Sequence, residues 1–201
     1  MTRHAIRLFA IFLFSLVSLA SVPHASAQNN VDPALRPPKG SQVAIVVFED
    51  LECPQCRRAA PIVREASKKY NIPVVRHDFP LGRMHPWSME AAVTAHYFDA
   101  QSKQMGNDFR DYIFQHQTEI IPGNLRSFAD KFAADHKIAL PFVIDPQGKF
   151  AAEVAAERDL GLHLGVHQTP TIYVVSSKGK PFVEVSDINQ LFQTIDAMMN
   201  Q

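Results

Sequence analysis

The chain has 201 residues, with 20 Lys and Arg against 20 Asp and Glu, so its formal charge is zero when histidine is neutral. No basic run longer than a pair appears, which argues against nucleic acid and anionic membrane as partners. Two cysteines three positions apart are too few for a disulfide-stapled scaffold, and the length suits one domain with its own core.

Met1 to Arg7 is short and basic, Leu8 to Ala20 is an apolar run of 13 residues, and Ala25-Ser26-Ala27 has the small-x-small pattern of a cleavage site. This layout predicts a secretory signal peptide over residues 1–27, because the apolar run is well short of the roughly 20 residues that span a bilayer. Its removal takes two arginines and no acid, leaving a formal charge of −2. Export places the protein in the periplasm or another extracytoplasmic space, where a thiol pair can stay oxidised.

Residues 28–41 are polar and proline-bearing and read as a flexible lead-in. Val43 to Phe48 is a continuous β-branched apolar run, the pattern of a strand buried on both faces. A helix from Pro54 to Tyr70 follows, then an extended run from Ile72 that ends near Asp78. Strand, helix and strand in that order predict a parallel, right-handed crossover unit. Helical periodicity then fills 86–102, 107–117, 125–132 and 151–160. Thr171 to Val175 and Pro181 to Val185 flank a turn and predict an antiparallel hairpin. A last helix carries Ile188, Leu191, Phe192, Ile195 and Met199 on one face, with Asp187 at its cap and Gln190 three residues on.

The chemistry sits in FEDLECPQCRRAAP. Cys53 follows the buried strand and occupies the cap of a helix whose first position is Pro54, where proline's missing N–H has no partner to lose. Free N–H groups and the positive helix end favour a thiolate at Cys53. Cys56 lies one turn in and shielded, so the pair is an attacking and a resolving sulfur. Glu49, Asp50 and Glu52 oppose a thiolate; as exposed, screened charges they are outweighed by the helix terminus, and the amide of Gln55 is a further donor.

The strand-C-P-x-C-helix unit resembles the thioredoxin superfamily, and the whole layout is similar to its DsbA-like thiol:disulfide oxidoreductase branch. Pro61 resembles the proline inside the thioredoxin helix, and Thr169-Pro170 in HQTPTIYV resembles the cis-proline loop beside the redox cysteines. Between Cys56 and Pro170 lie 113 residues, room for the helical insert of that branch, and DFPLGRMHPWSMEAA resembles its start. The resemblance implies a thioredoxin fold of βαβ…ββα order, with residues 42–80 and 141–201 as the thioredoxin-like domain and 81–140 as an inserted helical domain.

It also implies catalysis by Cys53 and Cys56, a substrate loop of Pro54, Gln55, Thr169 and Pro170, and no metal or organic cofactor. Substrates are then reduced or misoxidised exported proteins, and the redox partner is a quinone-linked membrane oxidase of DsbB or vitamin K epoxide reductase type. The sequence shows no obvious dimerisation segment, which favours a monomer. Two positions depart from the family. Gln55 replaces the histidine of DsbA, which points to a milder oxidant. Val47 stands where relatives place a buried acid, and Glu49 and Asp50 are out of register, which argues against a buried proton relay.

Three other readings remain open. The same fold runs in reverse as a periplasmic reductase for one client. A copper-delivery module would use Cys53, Cys56 and a histidine, although copper carriers on this fold space their cysteines by three residues. A zinc site would need two of His77, His85, His96, His116, His136, His163 and His167, whose spacings match no finger pattern.

Overall fold

The computed structural model describes residues 31–201; the expected signal peptide lies outside the described residues. Four strands form one sheet in the order β2-β1-β3-β4. β1 (Val43–Glu49) is central, and all seven of its residues are buried, which is why its sequence is apolar without alternation. It pairs in parallel with β2 (Val74–Asp78) and antiparallel with β3 (Thr171–Ser176), which pairs antiparallel with β4 (Phe182–Glu184). β2 begins two residues later than its apolar pattern; Pro73 has no N–H to give the ladder, and only its carbonyl serves, accepting from Ile45 N–H at 3.0 Å.

Each sheet face has its own layer. Val43, Ile45 and Val47 pack on α1 (Pro54–Tyr70) through Ala59, Val63 and Ala66, and on α6 (Leu191–Met199) through Leu191, Ile195 and Met198. Ala44, Val46 and Phe48 face Phe79, Val166, Tyr173 and Val175, with Leu160 of α5 (Lys149–His163) against them. Leu35, in a short turn over Pro33–Leu35, joins this second layer, so the lead-in expected to be flexible is anchored at that point.

Between β2 and α5 come α2 (Ser88–Asp99), α3 (Lys103–His116) and α4 (Leu125–Asp135). α3 starts four residues earlier than the periodicity suggests because Ser102 caps it, its hydroxyl accepting from Met105 N–H at 3.0 Å. Phe98, Phe109 and Phe132 form the centre of this helical core, with ring centroids 4.7–5.2 Å apart. Leu51, Cys53, Cys56 and Trp87 belong to the same cluster, so the insert's core runs up to the redox motif. At the far end Asp187 caps a short turn over Ile188–Gln190, accepting from Asn189 N–H at 3.0 Å. α6 follows that turn, so the reciprocal Gln190 box does not form. Among the described residues no helix is long and apolar enough to cross a membrane.

Candidate active site

β1 delivers the chain into the turn Asp50-Leu51-Glu52, and Cys53 occupies the cap of α1 with φ −73° and ψ 120°, followed by Pro54 at the first helical position. Both cysteines are in the thiol form and buried, Cys53 at 5% and Cys56 at 1% exposure. Thr169 and Pro170 are joined by a cis peptide bond, and the Thr169 carbonyl accepts from the Cys53 thiol at 3.3 Å. Cys53, Cys56, Pro54, Gln55, Thr169 and Pro170, 116 residues apart at the extremes of that one hydrogen bond, therefore meet at one place.

The two sulfurs differ in kind. Cys53 is held down to about 5, chiefly because the Cys56 thiol donates to it; burial opposes this, and Thr169 and then the backbone N–H groups of Cys56 and Gln55 add to it. Burial pushes Cys56 well above the ordinary thiol value, and its role as donor to Cys53 adds to that. The direction at Cys53 is the one the helix terminus predicts, but the neighbouring thiol is the largest cause. The Gln55 side chain contributes no such donor. Its carbonyl oxygen accepts from Arg58 Nε at 3.1 Å on the exposed side of the helix.

The acids before Cys53 are not the exposed, screened charges their composition suggests. Glu49 continues the period-two face of Val43, Ile45 and Val47 and is 3% exposed. Burial raises its carboxyl to about 7, against the attraction of Arg76, and Glu49 in turn helps to raise Cys56. A buried acid does stand within electrostatic reach of Cys56, which corrects the inference drawn from Val47. The register argument failed because the acid occupies the next inward position of the same strand face.

Asp50 is 1% exposed. Its carboxylate accepts from Glu52 N–H at 2.8 Å and Leu81 N–H at 2.7 Å, and meets His85 Nδ1 at 2.8 Å, while its own N–H donates to Cys56 Sγ at 3.4 Å. Gln117, the residue that ends α3, donates from Nε2 to the carbonyls of Leu51 at 2.8 Å and Cys53 at 3.1 Å. Sequence reasoning did not single out Gln117; no local signal marks a glutamine whose partners lie more than 60 residues away.

A groove of about 740 Å³ opens between Gln55, Ala59 and Ile62 of α1, the Gln168–Pro170 loop and the Val185–Ile188 connection. Among the described residues the only His/Cys/Asp/Glu cluster of metal-ligand spacing is Asp78, His96 and Glu157, which contains neither cysteine. His77, His85, His116, His136, His163 and His167 form no such cluster with Cys53 and Cys56 among those residues.

A dithiol at a helix N-terminus, facing a cis-proline loop on a four-stranded sheet with a helical insert, defines a protein of the thioredoxin fold. Residues 38–197 match the family described as Thioredoxin, and the chain belongs to that family.

The fold is similar to α-DsbA1 of Wolbachia pipientis, at 15% identity over 82% of this chain and 89% of that one, with a TM-score of 0.66. It is also similar to the thiol-disulfide exchange protein α-DsbA2 of Wolbachia pipientis, at 22% identity over 81% and 85%, with a TM-score of 0.64. A periplasmic thioredoxin-like protein from Salmonella enterica serovar Typhimurium matches at 16% identity over 85% and 93%, with a TM-score of 0.64. Among curated proteins, the Na(+)/H(+) antiporter NhaA 3 of Salinispora tropica is 31% identical over 149 residues, which are 72% of this chain and 22% of that protein. The NhaA 1 antiporter of Salinispora arenicola matches equally, again over 22% of its length. The chain thus spans about a fifth of the curated relatives it matches.

Proposed function

We propose that this protein is an exported thiol:disulfide oxidoreductase that forms disulfides in extracytoplasmic proteins through a Cys53–Cys56 disulfide. The observation that carries the reading is the asymmetry of the pair, with Cys53 held to about 5 and Cys56 pushed well up beside it.

In the oxidised enzyme a substrate thiolate attacks Cys53 Sγ, the Cys53–Cys56 bond breaks, and Cys56 leaves as a thiolate that takes up a proton. Glu49, buried, raised to about 7 and within electrostatic reach of Cys56, is the proton donor assigned to that step. The substrate is now joined to Cys53 and lies in the groove beside Thr169 and Pro170. A second substrate thiolate attacks the substrate sulfur, and Cys53 leaves as a thiolate that is stable at neutral pH. Two substrate thiols become one disulfide, and the enzyme disulfide becomes two thiols.

A thiol near 5 lies between the roughly 7 of thioredoxin and the roughly 3.5 of DsbA, which supports an oxidant milder than DsbA. The pair needs no metal or organic cofactor for exchange. A quinone-linked membrane oxidase of DsbB or vitamin K epoxide reductase type would restore the disulfide. The protein acts as a monomer in the periplasm or an equivalent space after loss of residues 1–27.

Equilibration of the pair with glutathione tests the direction of flow, combined with an assay for oxidation of a reduced, unfolded substrate protein. The reading expects a potential nearer the roughly −120 to −180 mV of oxidants than the roughly −270 mV of thioredoxin. It also expects Cys53→Ser to abolish turnover. A thioredoxin-like potential would leave the periplasmic reductase in its place.

A further inference from the structure

Away from the cysteines, β2, α2 and α5 bring Asp78, His96 and Glu157 together, and one ligand-capable atom from each lies within 4.8 Å of the others. His96 Nε2 stands 3.4 Å from Asp78 Oδ2 and 3.5 Å from Glu157 Oε2. Bonds of about 2.0–2.1 Å to a tetrahedral zinc imply edges of roughly 3.3–3.4 Å between its ligand atoms. The two edges that meet at His96 already have that size, and the edge between the carboxylates is within 4.8 Å.

Several independent features point into this space. The His96 side chain is 5% exposed, yet its Nε2 has no hydrogen-bond partner among the described residues, and neither does Asp78 Oδ1. Burying such groups unpaired is costly unless something occupies the space between them. The other ring nitrogen of His96, Nδ1, meets Glu153 Oε2 at 3.0 Å. A carboxylate behind a histidine in this way orients the free nitrogen toward a metal. Arg110 holds Asp78 Oδ2, the oxygen that faces His96 Nε2, at 2.6 Å, and Asp78 N–H donates to Glu157 Oε2 at 2.6 Å, so both carboxylates are fixed in place and each ligating oxygen would share its cation with a hydrogen-bond donor.

The charge balance agrees. Asp78 and Asp99 pair with the buried guanidinium of Arg110, while the ion-pair partners of Glu157 among the described residues are the histidines His77 and His96. The lysines that approach, Lys103 and Lys149, have side chains 82% and 66% exposed. A cavity of about 310 Å³ bordered by His77, Arg110 and Glu157 lies against the cluster. Water from this cavity would supply the fourth position; His77, whose Nδ1 lies 3.6 Å from Glu157 Oε1, stands outside the three-residue cluster.

We propose that Asp78, His96 and Glu157 form a structural divalent-cation site, suited to Zn²⁺, that pins α2 and α5 of the helical region to β2. It is separate from the redox pair and independent of the proposed oxidase activity. One imidazole and two carboxylates are a borderline donor set, which favours Zn²⁺ over Ca²⁺ or Mg²⁺. The competing occupant is a proton on His96 Nε2, which would make the cluster an ordinary ion-pair network.

The test uses the oxidised protein, in which both cysteine sulfurs are bonded to each other and unavailable as ligands. After chelator treatment and dialysis, Zn²⁺ is titrated by calorimetry and the thermal midpoint is followed. One equivalent should bind and the midpoint should rise with free Zn²⁺. His96→Gln and Glu157→Gln should abolish both effects while far-UV circular dichroism stays native. Glu153→Gln, whose carboxylate lies outside the coordination shell and is 43% exposed, should keep the fold and weaken binding roughly 10–100-fold. This variant keeps the test decisive if the buried substitutions unfold the chain. Absence of binding to the oxidised wild type, or equal binding by Glu153→Gln and the wild type, would overturn the proposal.

Discussion

Glu49 Oε1 on β1 and Arg76 Nε on β2 stand 3.0 Å apart, with the two side chains 3% and 10% exposed. The contact has the distance of an ion pair but not the alignment of a hydrogen bond, since Glu49 Oε1 has no hydrogen-bond partner among the described residues. Arg76 instead directs its Nη2 to Asp111 at 2.9 Å. Burial therefore wins at Glu49, and its carboxyl is raised from 4.5 to about 7.

That shift has a definite sign in stability. Between about pH 4.5 and 7 the unfolded chain has released this proton while the folded chain still holds it. Stability therefore falls as pH rises through that window, by an amount on the order of 3 kcal/mol. Glu49→Gln should flatten this part of the curve, measured as denaturant midpoints from pH 4 to 8. It should also slow formation of the mixed disulfide and remove a break near neutrality in that step's pH–rate profile. Retention of both the slope and the break in the variant would show that Glu49 does not carry this proton.

Gln117 ties the end of α3 to the turn before the cysteines. Its amide donates to the carbonyls of Leu51 and Cys53; the Cys53 carbonyl also accepts from Arg57 N–H at 3.1 Å. Loss of the amide therefore falls mainly on Leu51, which is buried. Gln117→Ala should cost about 1–3 kcal/mol in equilibrium unfolding. Protection of the Cys53 and Arg57 amides in hydrogen exchange should fall with it. Unchanged stability would mean that water replaces the amide at no cost.

Gly161 of α5 packs directly against the rings of Phe79 and Phe48. A Cβ there would lie 2.6 Å from Phe79 Cδ2 and 3.1 Å from Phe48 Cδ1, closer than carbon atoms pack. Gly161→Ala should destabilise by about 1–3 kcal/mol from overpacking, less a helix-propensity gain of up to about 1 kcal/mol. Thermal unfolding reads the net loss. A stabilised variant would show that the two rings yield without strain.

What the sequence made legible was local. The unbroken apolar run of β1 announced a strand covered on both faces, and Pro54 after Cys53 announced the helix cap. Thr169-Pro170 became informative only beside the C-x-x-C motif, through family resemblance. Long-range pairings were hidden. Nothing near Gln117 indicates that its amide closes on Leu51, and Asp50 looks like a surface acid until Leu81 and His85 are seen to surround it. Glu49 was readable in principle, since strand alternation places it inward after Val47. The polarity of the residue outweighed its position in that reading, although a fully buried strand ending in an acid is itself a signal.

Gln55 remains the natural lever on redox strength. Its side chain is turned to Arg58, so the drop of Cys53 to about 5 comes from Cys56, from Thr169 and from backbone N–H groups, with no contribution from a charge at position 55. A histidine there would place an imidazolium within the first turn of α1, beside the thiolate, and stabilise the reduced form further. Gln55→His should lower the Cys53 value, followed by thiolate ultraviolet absorbance, and raise the potential by roughly 30 mV for each pKa unit. Arg58, freed from the Gln55 carbonyl, is the one neighbour placed to oppose this by repelling the imidazolium. A variant with lowered pKa but unchanged potential would mean that the oxidised form is stabilised equally. That outcome would separate nucleophile activation from oxidising power in this pair.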